Sequence, residues 1–397
     1  MNSIEVGWNE RSADLLLQNL ALPLAQMERG QGCYLWDSSG TQYLDFLGGI
    51  AVNSLGHCHP EFVSTLNAQA QRLDHISNYF VSRPQLDLAE KLLDISGAAG
   101  GRVFFSNSGT EANEAAFKLV RLHGKGKGKT RVLAFEGAFH GRTMGALALT
   151  AKEDYRTPFE PLAGGVEHIP LSVEALEAAM GDDVAAIFLE PIQGEAGVRE
   201  LPEGLLRRAR ELTTEHDALL VLDEVQTGIG RVGSWFAFQQ EGITPDAVTL
   251  AKGMGAGFPI GALIAFKSCA DLFYPGSHGT TFGGNPLAAA VSLRVLEVIE
   301  EQAIIENVSV QEQRLREGIA DLGSPLVAGV RGSGLLLGVV LRKPIAVQVA
   351  KEAFSRGLII NAPSPEVIRL APPLIVGQKQ VEEFLALFGQ ALESASA

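Results

Sequence analysis

The stretch AVTLAKGMGAGFPIGALIAF, residues 247–266, decides the fold, and Lys252 is its only ionisable residue. The apolar run Ala247–Ala251 predicts a short buried strand, and the glycine-rich run 253–257 leaves room for close approach of a ligand. The amine of Lys252 is therefore expected at a strand end, facing open space. Desolvation lowers the pKa of such a lysine and prepares it to form a Schiff base with a carbonyl group. The ordinary alternative is a lysine that reaches solvent from a loop.

Short apolar runs alternate with amphipathic segments on both sides of this stretch. Six runs predict strands: Arg102–Phe105, Arg131–Phe135, Ala185–Leu189, Ala218–Leu222, Ala247–Ala251 and Ala262–Phe266. Segments such as Glu111–Leu122 and Gly204–His216 have the periodicity of helices. The alternation predicts an α/β fold with a mostly parallel sheet covered by helices, and such sheets bind ligands at the carboxyl ends of their strands.

The pattern changes after the predicted sheet. Residues 286–322 predict one or two long helices, and strands are expected again near Leu335–Leu341 and Ile368–Leu370. We therefore expect an N-terminal segment (1–63), a large domain (64–298) and a small α+β C-terminal domain (299–397).

Composition excludes several classes of protein. The 397 residues are 46% hydrophobic and 20% charged, as in soluble globular proteins. The 32 basic and 46 acidic residues give a net charge of −14, which opposes binding to nucleic acid or to an anionic membrane.

Cys33, Cys58 and Cys269 are odd in number and widely spaced, which favours a reducing compartment. The N-terminal stretch MNSIEVGWNER lacks a signal pattern, so a cytoplasmic location is predicted.

Two local motifs suggest other ligands without completing their sites. His57-Cys58-His59 resembles part of a metal site, but the sequence has no second His/Cys cluster to supply further ligands, so no metal is expected. Gly128-Lys129-Thr130 imitates the end of a phosphate-binding P-loop, but His123 stands where that motif requires glycine. A solvated turn between a helix and a strand is the better interpretation of this Lys/Gly loop.

Small residues follow the first predicted strand of the sheet. The run SNSGTEANE, residues 106–114, opens a helix, with Ser108, Gly109 and Thr110 at its start. Hydroxyl groups and free N–H groups at a helix N-terminus suit a phosphate monoester. An ordinary capped helix is the alternative.

Two carboxylates end another predicted strand. Asp223 and Glu224 follow Ala218–Leu222 and precede Val225 and Gln226. A buried carboxylate needs a partner, which is either a pyridinium N–H or an internal salt bridge. Three strand ends thus supply a phosphate cradle, a carboxylate and an amine, and together these groups fit pyridoxal 5′-phosphate.

Six motifs carry a resemblance to the class III pyridoxal-phosphate aminotransferases. They are Ser106–Lys118 (SNSGTEANEAAFK), Ala138–Thr143 (AFHGRT), Glu190–Glu195 (EPIQGE), Leu222–Gly230 (LDEVQTGIG), Ala251–Ala262 (AKGMGAGFPIGA) and His278–Ala288 (HGTTFGGNPLA). Within the class, the chain most resembles the acetylornithine and succinylornithine aminotransferases. The resemblance implies fold type I of the pyridoxal-phosphate-dependent transferases and a homodimer whose active sites are shared across the interface.

The resemblance also implies roles in holding the cofactor. Lys252 would bind it covalently and later move a proton, while Asp223 would pair with the pyridine nitrogen. Gln226 would contact the ring hydroxyl and Phe139 would stack on the ring. The remaining cofactor-binding residues expected are Ser108, Gly109, Thr110, Val225 and Thr281, with Thr281 and the neighbouring Thr280 reaching the cofactor phosphate and substrate of the other subunit.

Carboxylate substrates call for arginines. By resemblance, Arg142 holds the α-carboxylate of the amino donor and Arg369 holds that of glutamate. Glu195 pairs with Arg369 when no α-carboxylate is present. Ile50 occupies the position at which ornithine aminotransferases carry a tyrosine that contacts the free α-amino group. An apolar side chain there leaves that amino group without a partner and favours an acylated nitrogen.

These residues predict transfer of the terminal amino group of N2-acetyl-L-ornithine to 2-oxoglutarate, a step of arginine biosynthesis. Succinylornithine, ornithine, acetyllysine and 4-aminobutyrate are the alternative donors. An aminomutase or racemase would keep the cofactor and change the reaction. A non-catalytic protein that binds a phosphate ligand, or a nucleotide-binding protein that uses the Lys/Gly loop, is the alternative from another class.

Overall fold

The computed structural model describes residues 7–396. Residues 1–6, on which the prediction about a signal sequence partly rests, and Ala397, the end of the predicted C-terminal domain, lie outside the described residues. The first described elements are α1 (Trp8–Leu15), β1 (Met27–Gln31), β2 (Tyr34–Asp37), β3 (Gln42–Asp45), α2 (Gly48–Ala51), α3 (Pro60–Ala70) and α4 (Arg83–Ser96). The Pro60 and Pro84 rings stand at the starts of α3 and α4, where a missing N–H costs no helical hydrogen bond.

The middle of the chain forms the central sheet and its covering helices. This part of the chain contains the strands β4 (Arg102–Ser106), β5 (Arg131–Phe135), β6 (Val166–Ile169), β7 (Val184–Leu189), β8 (Ile192–Gln193), β9 (Arg199–Glu200), β10 (Leu219–Asp223), β11 (Ala247–Leu250) and β12 (Gly261–Ala265). Its helices are α5 (Gly109–Gly124), α6 (Met144–Leu149), α7 (Glu153–Arg156), α8 (Val173–Ala179), α9 (Leu205–Glu215) and α10 (Ala237–Gln240).

The last part of the chain is helical and then mixed. Its elements are α11 (Pro286–Glu301), α12 (Ile304–Asp321), β13 (Val327–Ser333), β14 (Leu336–Leu341), α13 (Ala346–Ser355), β15 (Leu358–Ile359), β16 (Asn361–Ser364), β17 (Val367–Leu370) and α14 (Gln378–Ser396). Ala303, with φ of 50°, separates α11 from α12, so the long helical stretch predicted over 286–322 is two helices.

The central sheet has seven strands in the order β4-β12-β11-β10-β7-β5-β6. Only β12 runs antiparallel, pairing with both β11 and β4, so β4 points the same way as the other strands. This confirms the prediction of a mostly parallel sheet. The carboxyl ends of β4, β5, β7, β10 and β11 therefore share one edge. The sequence analysis missed β6, because polar residues interrupt its four-residue run VEHI.

The N-terminal and C-terminal parts of the chain share a second sheet. β15 pairs in parallel with β3, completing the four-stranded order β1-β2-β3-β15. Phe384 of α14 stacks on Phe46 with ring centroids 4.4 Å apart and on Phe388 with centroids 5.2 Å apart. All three rings are fully buried. The domain boundaries at 63 and 298 stay predictions.

A buried arginine joins the central part of the chain to its C-terminal part. Arg231 is 2% exposed and donates from Nη1 to the carbonyl oxygens of Leu335 at 3.0 Å and Pro372 at 2.5 Å. Burial lowers the pKa of its guanidinium to about 9. Pro372 lies close to Arg369 in the chain, so this contact helps to fix the position of the strand that carries Arg369.

Within residues 7–396, none of the helices combines the length and the apolar character that crossing a bilayer requires.

The Phe46–Phe384–Phe388 stack predicts a large effect of truncating its central ring. Phe384→Ala should lower the free energy of unfolding by about 3–5 kcal/mol, because the lost ring leaves a cavity between two parts of the chain. Denaturant unfolding followed by tryptophan fluorescence measures the change. Phe384→Leu is the matched control and should cost clearly less. An alanine variant as stable as the parent would contradict this account of the packing.

Candidate active site

A cavity of about 190 Å³ lies at the carboxyl edge of the central sheet. It gathers residues from the loops that follow separate strands. Its lining consists of Gly109, Thr110, Asn113, Phe139, His140, Gly141, Arg142, Glu190, Asp223, Val225, Gln226 and Lys252. Eight of the residues expected from the sequence are among them: Gly109, Thr110, Phe139, Arg142, Asp223, Val225, Gln226 and Lys252.

Lys252 follows β11 and begins a short 3₁₀ turn, Lys252–Met254. Its φ of 42° is in the left-handed region, which costs of order 1–3 kcal/mol for a non-glycine residue. Burial lowers the pKa of its amine to about 8; the charge of Glu195 opposes this shift and that of Arg369 contributes to it. No carboxylate of the described residues lies within ion-pair distance of this amine. An amine whose pKa is about 8 and that has no ion-pair partner is able to react as a nucleophile.

Asp223, the last residue of β10, is 4% exposed and held by three groups. Its Oδ2 accepts a hydrogen bond from Asn113 Nδ2 at 2.7 Å and lies 2.8 Å from His140 Nδ1, and its Oδ1 accepts from the amide of Val225 at 3.0 Å. Thr249 in turn donates to Asn113 Oδ1 at 2.8 Å. Because a carboxylate oxygen has two lone pairs, Oδ1 can accept one more hydrogen bond from the cavity.

Glu224, the neighbouring carboxylate, has a structural role. Its oxygens accept hydrogen bonds from the amides of Ala237 at 2.9 Å and Phe238 at 3.0 Å and from the hydroxyl of Thr227 at 2.7 Å. Burial raises the pKa of Glu224 to about 7. This side chain therefore supports the start of α10 and does not line the cavity.

The start of α5 is the place where the sequence predicts a phosphate cradle. Ser108 is its N-cap, and the Ser108 hydroxyl accepts from the amide of Glu111 at 3.3 Å. The amides of Gly109 and Thr110 belong to the first turn and have no acceptor within the helix. A Cβ on Gly109 would lie 2.9 Å and 3.0 Å from the methyl carbons of Val225, so only glycine keeps this space open.

Glu190 follows β7 and lies behind Phe139. Glu190 is 4% exposed, and its Oε1 accepts from the amide of Phe139 at 2.9 Å. Burial, together with the charge of Asp223, raises the pKa of Glu190 well above its ordinary value. Glu190 thus anchors the loop that carries Phe139 over the cavity.

The two arginines expected from the sequence have opposite environments. Arg369 in β17 is 1% exposed, and its Nη1 donates to Glu195 Oε1 at 2.5 Å and to Gln226 Oε1 at 3.4 Å. Burial favours a higher pKa for Glu195, but the charge and hydrogen bond of Arg369 hold the pKa below its ordinary value. Arg142 lies exposed at the rim of the cavity and forms no ion pair with any residue from 7 to 396.

Ile50 lies in α2, a turn of unusual backbone. Gly48, Gly49, Ile50 and Ala51 have φ values of 56°, 65°, 67° and 60°. Asp45 Oδ1 accepts from the amide of Gly48 at 2.8 Å and so holds the start of this left-handed turn. A Cβ on Gly48 would lie 2.8 Å from the carbonyl oxygen of Ala371, so the turn packs directly on the segment that follows Arg369. The Ile50 side chain is 36% exposed.

Thr280 and Thr281 do not line the cavity of their own chain. The Thr280 hydroxyl accepts from the amide of Gly283 at 3.1 Å, and Thr281 is exposed. The metal-like tripeptide also has structural contacts: His57 Nε2 lies 2.8 Å from Asp45 Oδ2, and His59 caps α3. Among residues 7–396, no group of three or more metal-ligating side chains is found.

The site has the features that pyridoxal phosphate requires. The open first turn of α5 suits a phosphate group, the free acceptor capacity of Asp223 Oδ1 suits a pyridinium N–H, and the amine of Lys252 suits an aldehyde. His140 Nε2 is buried without a partner, so the hydrogen-bonding capacity of the site is not exhausted. The residues present therefore fit this cofactor.

The sequence analysis missed Asn113, His140, Glu190 and Thr249 as members of the site. Three of them lie in or beside motifs quoted for the resemblance. Asn113 belongs to the run 106–118, His140 to the run 138–143 and Glu190 to the run 190–195. Their polar character in otherwise buried surroundings was the available signal.

Known proteins resemble this chain over nearly its whole length. The family model "Aminotransferase class-III" matches residues 18–392. The acetylornithine aminotransferase of Streptomyces coelicolor is 50% identical over 389 residues, covering 98% of this chain and 96% of that protein. The structure of N-acetylornithine aminotransferase from Stenotrophomonas maltophilia is similar with a TM-score of 0.83 and 40% identity, over 97% of this chain and 98% of that one.

A second solved structure extends the comparison. The ornithine aminotransferase of Toxoplasma gondii, which holds pyridoxal phosphate at partial occupancy, has a TM-score of 0.92 and 31% identity, over 97% of this chain and 94% of that one.

The lowered pKa of Lys252 predicts a distinctive pH dependence of its reactivity. In cofactor-free protein, reductive methylation of Lys252 by formaldehyde, with a borohydride reagent as the hydride donor, should increase with pH through a midpoint of about 8, because the neutral amine is the nucleophile. Mass spectrometry of the peptide that contains Lys252 measures the extent of labelling. Nα-acetyl-lysine in the same solution is the reference, because its ε-amine has an ordinary pKa of about 10.4. Identical pH profiles for the two amines would contradict the shift.

Proposed function

This chain belongs to the class III aminotransferases, and we propose that it transfers the terminal amino group of N2-acetyl-L-ornithine to 2-oxoglutarate. The products are N-acetyl-L-glutamate 5-semialdehyde and L-glutamate, and the reaction is a step of arginine biosynthesis. The observation that carries the proposal is the ion pair of Arg369 and Glu195, which contacts Gln226 in the lining of the cavity that also holds Lys252. That arrangement suits an enzyme that binds two different carboxylate substrates in one site.

Pyridoxal phosphate, when bound, stores the amino group between the two half-reactions and withdraws electrons from the carbon that bears it. Gly109 and Thr110 would hold its phosphate through their amides, and Ser108 shapes the same helix start. Asp223 would hold its ring nitrogen, with Phe139, Val225 and Gln226 around the ring. These assignments rest on the lining of the cavity and on the hydrogen-bond capacity left in it.

Lys252 moves a proton at its Nζ atom in this proposal. Its amine takes a proton from the carbon next to the substrate nitrogen and returns one at the end of the transfer. A pKa of about 8 suits this task, because the amine is then both a usable base and, once protonated, a usable acid near neutral pH. Its position at the start of the turn after β11 places the side chain in the lining of the cavity.

Arg142 and Arg369 bind the α-carboxylates of different substrates in this proposal. Arg142, which has no ion-pair partner among the described residues, receives the α-carboxylate of the donor. Arg369 is neutralised by Glu195 while the donor is present, so the terminal amine of the donor does not meet an exposed positive charge. When 2-oxoglutarate binds, its α-carboxylate replaces Glu195 on Arg369. The 35% exposure of the Glu195 side chain allows it to move away.

Ile50 supports an acylated donor. Its aliphatic side chain provides neither a donor nor an acceptor for a free α-amino group, so a charged ornithine would lose hydrogen bonds on binding. An acetyl group removes that charge. The left-handed turn that carries Ile50 is packed on the Arg369 segment, which keeps the side chain in a defined place.

The assembly that we propose is a homodimer with the active site shared across the interface. Thr281 is exposed and lies outside the cavity of its own chain, which suits a residue that serves a partner subunit. Thr280 beside it would reach the same site. The cytoplasmic location suggested by composition remains part of the proposal.

The function is tested by turnover and by the spectrum of the purified holoprotein. N2-acetylornithine should reduce the visible absorbance of the bound cofactor, and 2-oxoglutarate should restore it. Lys252→Ala should lose at least about a hundredfold of the rate, because its proton transfer is removed. Lys267→Ala, which changes an exposed lysine, is the control and should retain the parental rate.

The other outcomes would change the assigned function in different ways. Faster turnover of succinylornithine, ornithine or 4-aminobutyrate than of N2-acetylornithine would show that the preferred donor is a different one. Product formation from a single substrate without 2-oxoglutarate would indicate an aminomutase or racemase. A holoprotein that binds the cofactor and turns over none of these compounds would contradict the proposal.

The ion pair of Glu195 and Arg369 predicts opposite effects on the two half-reactions. Glu195→Gln should slow the reaction of the donor by roughly tenfold, because Arg369 then carries an uncompensated charge. The half-reaction of 2-oxoglutarate should be retained or improved. Stopped-flow measurement of each half-reaction separates the two effects, and Glu195→Asp, which keeps the negative charge, is the control. Equal slowing of both half-reactions would contradict the masking role.

A further inference from the structure

Tyr155 supports Arg142 from outside the cavity. The Arg142 Cζ atom lies 3.5 Å from the centroid of the Tyr155 ring and 5.6 Å from that of Phe139. Tyr155 belongs to α7, a single turn that does not line the cavity. We infer that Tyr155 is a positioning residue for the donor, because its ring holds the guanidinium of Arg142 in place for the donor's α-carboxylate. This inference rests on the proposed function.

The backbone of Arg142 is fixed independently of its side chain. The amides of Arg142 and Thr143 both donate to Thr110 Oγ1, at 3.1 Å and 3.2 Å. The Thr143 hydroxyl also lies 2.9 Å from Thr110 Oγ1. The backbone is thus anchored on the first turn of α5, while the long and exposed side chain still has several rotatable bonds. An aromatic platform at the far end removes much of that freedom.

An aromatic ring suits this position better than a carboxylate would. A ring contacts the face of a guanidinium and leaves the N–H groups at its edge free for a bidentate carboxylate. Arg369, in contrast, must lose Glu195 before it can bind a substrate. The structure therefore contains one arginine that is permanently available and one that is covered, and Tyr155 maintains the available one without neutralising it.

The platform is itself held in place. The amide of Tyr155 donates to the carbonyl oxygen of Lys152 at 3.1 Å, and Lys152 Nζ lies 4.6 Å from the same ring centroid. Arg156, the last residue of α7, contacts His168 Nδ1 at 3.2 Å, and His168 Nε2 lies 3.1 Å from the carbonyl oxygen of Leu149. These contacts tie α7 to β6 and α6. Lys152 places a second positive charge at the same ring.

Tyr155→Leu tests the platform, with Tyr155→Phe as the matched control. The leucine variant should raise the KM for N2-acetylornithine by about three- to tenfold, as expected for loss of one cation–π contact. The phenylalanine variant keeps the ring and should resemble the parent. A phenylalanine variant as impaired as the leucine variant would overturn the inference.

Two ligands separate positioning from a general structural effect. N-acetyl-L-norvaline keeps the α-carboxylate and lacks the terminal amine, so its Kd, measured by calorimetry on the holoprotein, should rise in Tyr155→Leu by the same factor. N-acetylputrescine lacks the α-carboxylate, so its turnover should be equal in the parent and in Tyr155→Leu. Equal losses with N2-acetylornithine and N-acetylputrescine would overturn the inference. An inactive parent would overturn the proposed function, and the Kd of N-acetyl-L-norvaline would still test Tyr155.

Discussion

The rest of the site depends on the buried carboxylate of Asp223 and the hydrogen bonds that it requires. A carboxylate that is 4% exposed needs hydrogen-bond donors in place of water, and the donors come from three separate parts of the chain. Asn113 belongs to the helix of the phosphate cradle, His140 to the loop that carries Phe139 and Arg142, and Val225 to the loop after β10. The hydrogen bonds to one buried carboxylate therefore fix the start of α5 and the loop that carries Phe139 relative to β10. Thr249, which binds Asn113, connects the strand of Lys252 to the same network.

Electrostatics then divides the work among the charged groups. Burial makes the amine of Lys252 easier to deprotonate and makes the carboxyl of Glu190 harder to ionise. The two arginines differ in their partners: Arg369 lies against the carboxylate of Glu195, whereas Arg142 contacts aromatic rings and forms no ion pair with residues 7–396. In the function that we propose, this difference lets the site accept a carboxylate at two places and at different stages of the reaction.

Two turns with left-handed backbone, one at Ile50 and Ala51 and one at Lys252, lie against each other. Lys252, Ile50 and Ala51 all have positive φ values, each of which costs of order 1–3 kcal/mol. Their surroundings offset this cost. Asp45 holds the start of the left-handed turn, Ala51 is buried, and the hydroxyl of Ser54 donates to the carbonyl oxygen of Gly253 at 2.8 Å. The turn that carries Ile50 and the turn that carries Lys252 are thereby attached to each other.

The sequence by itself determined the sheet, the strand ends and the chemistry of the groups placed there. Apolar runs reveal buried strands, and a lysine or aspartate that ends such a run has few other roles, as Lys252 and Asp223 illustrate. Only the tertiary structure decided that Glu224 points away to cap α10 while Asp223 faces the cavity, that β15 joins β3, and that Tyr155 lies on Arg142. Periodicity reports which face of one element is buried, whereas these contacts join residues of separate elements and depend on how the elements pack.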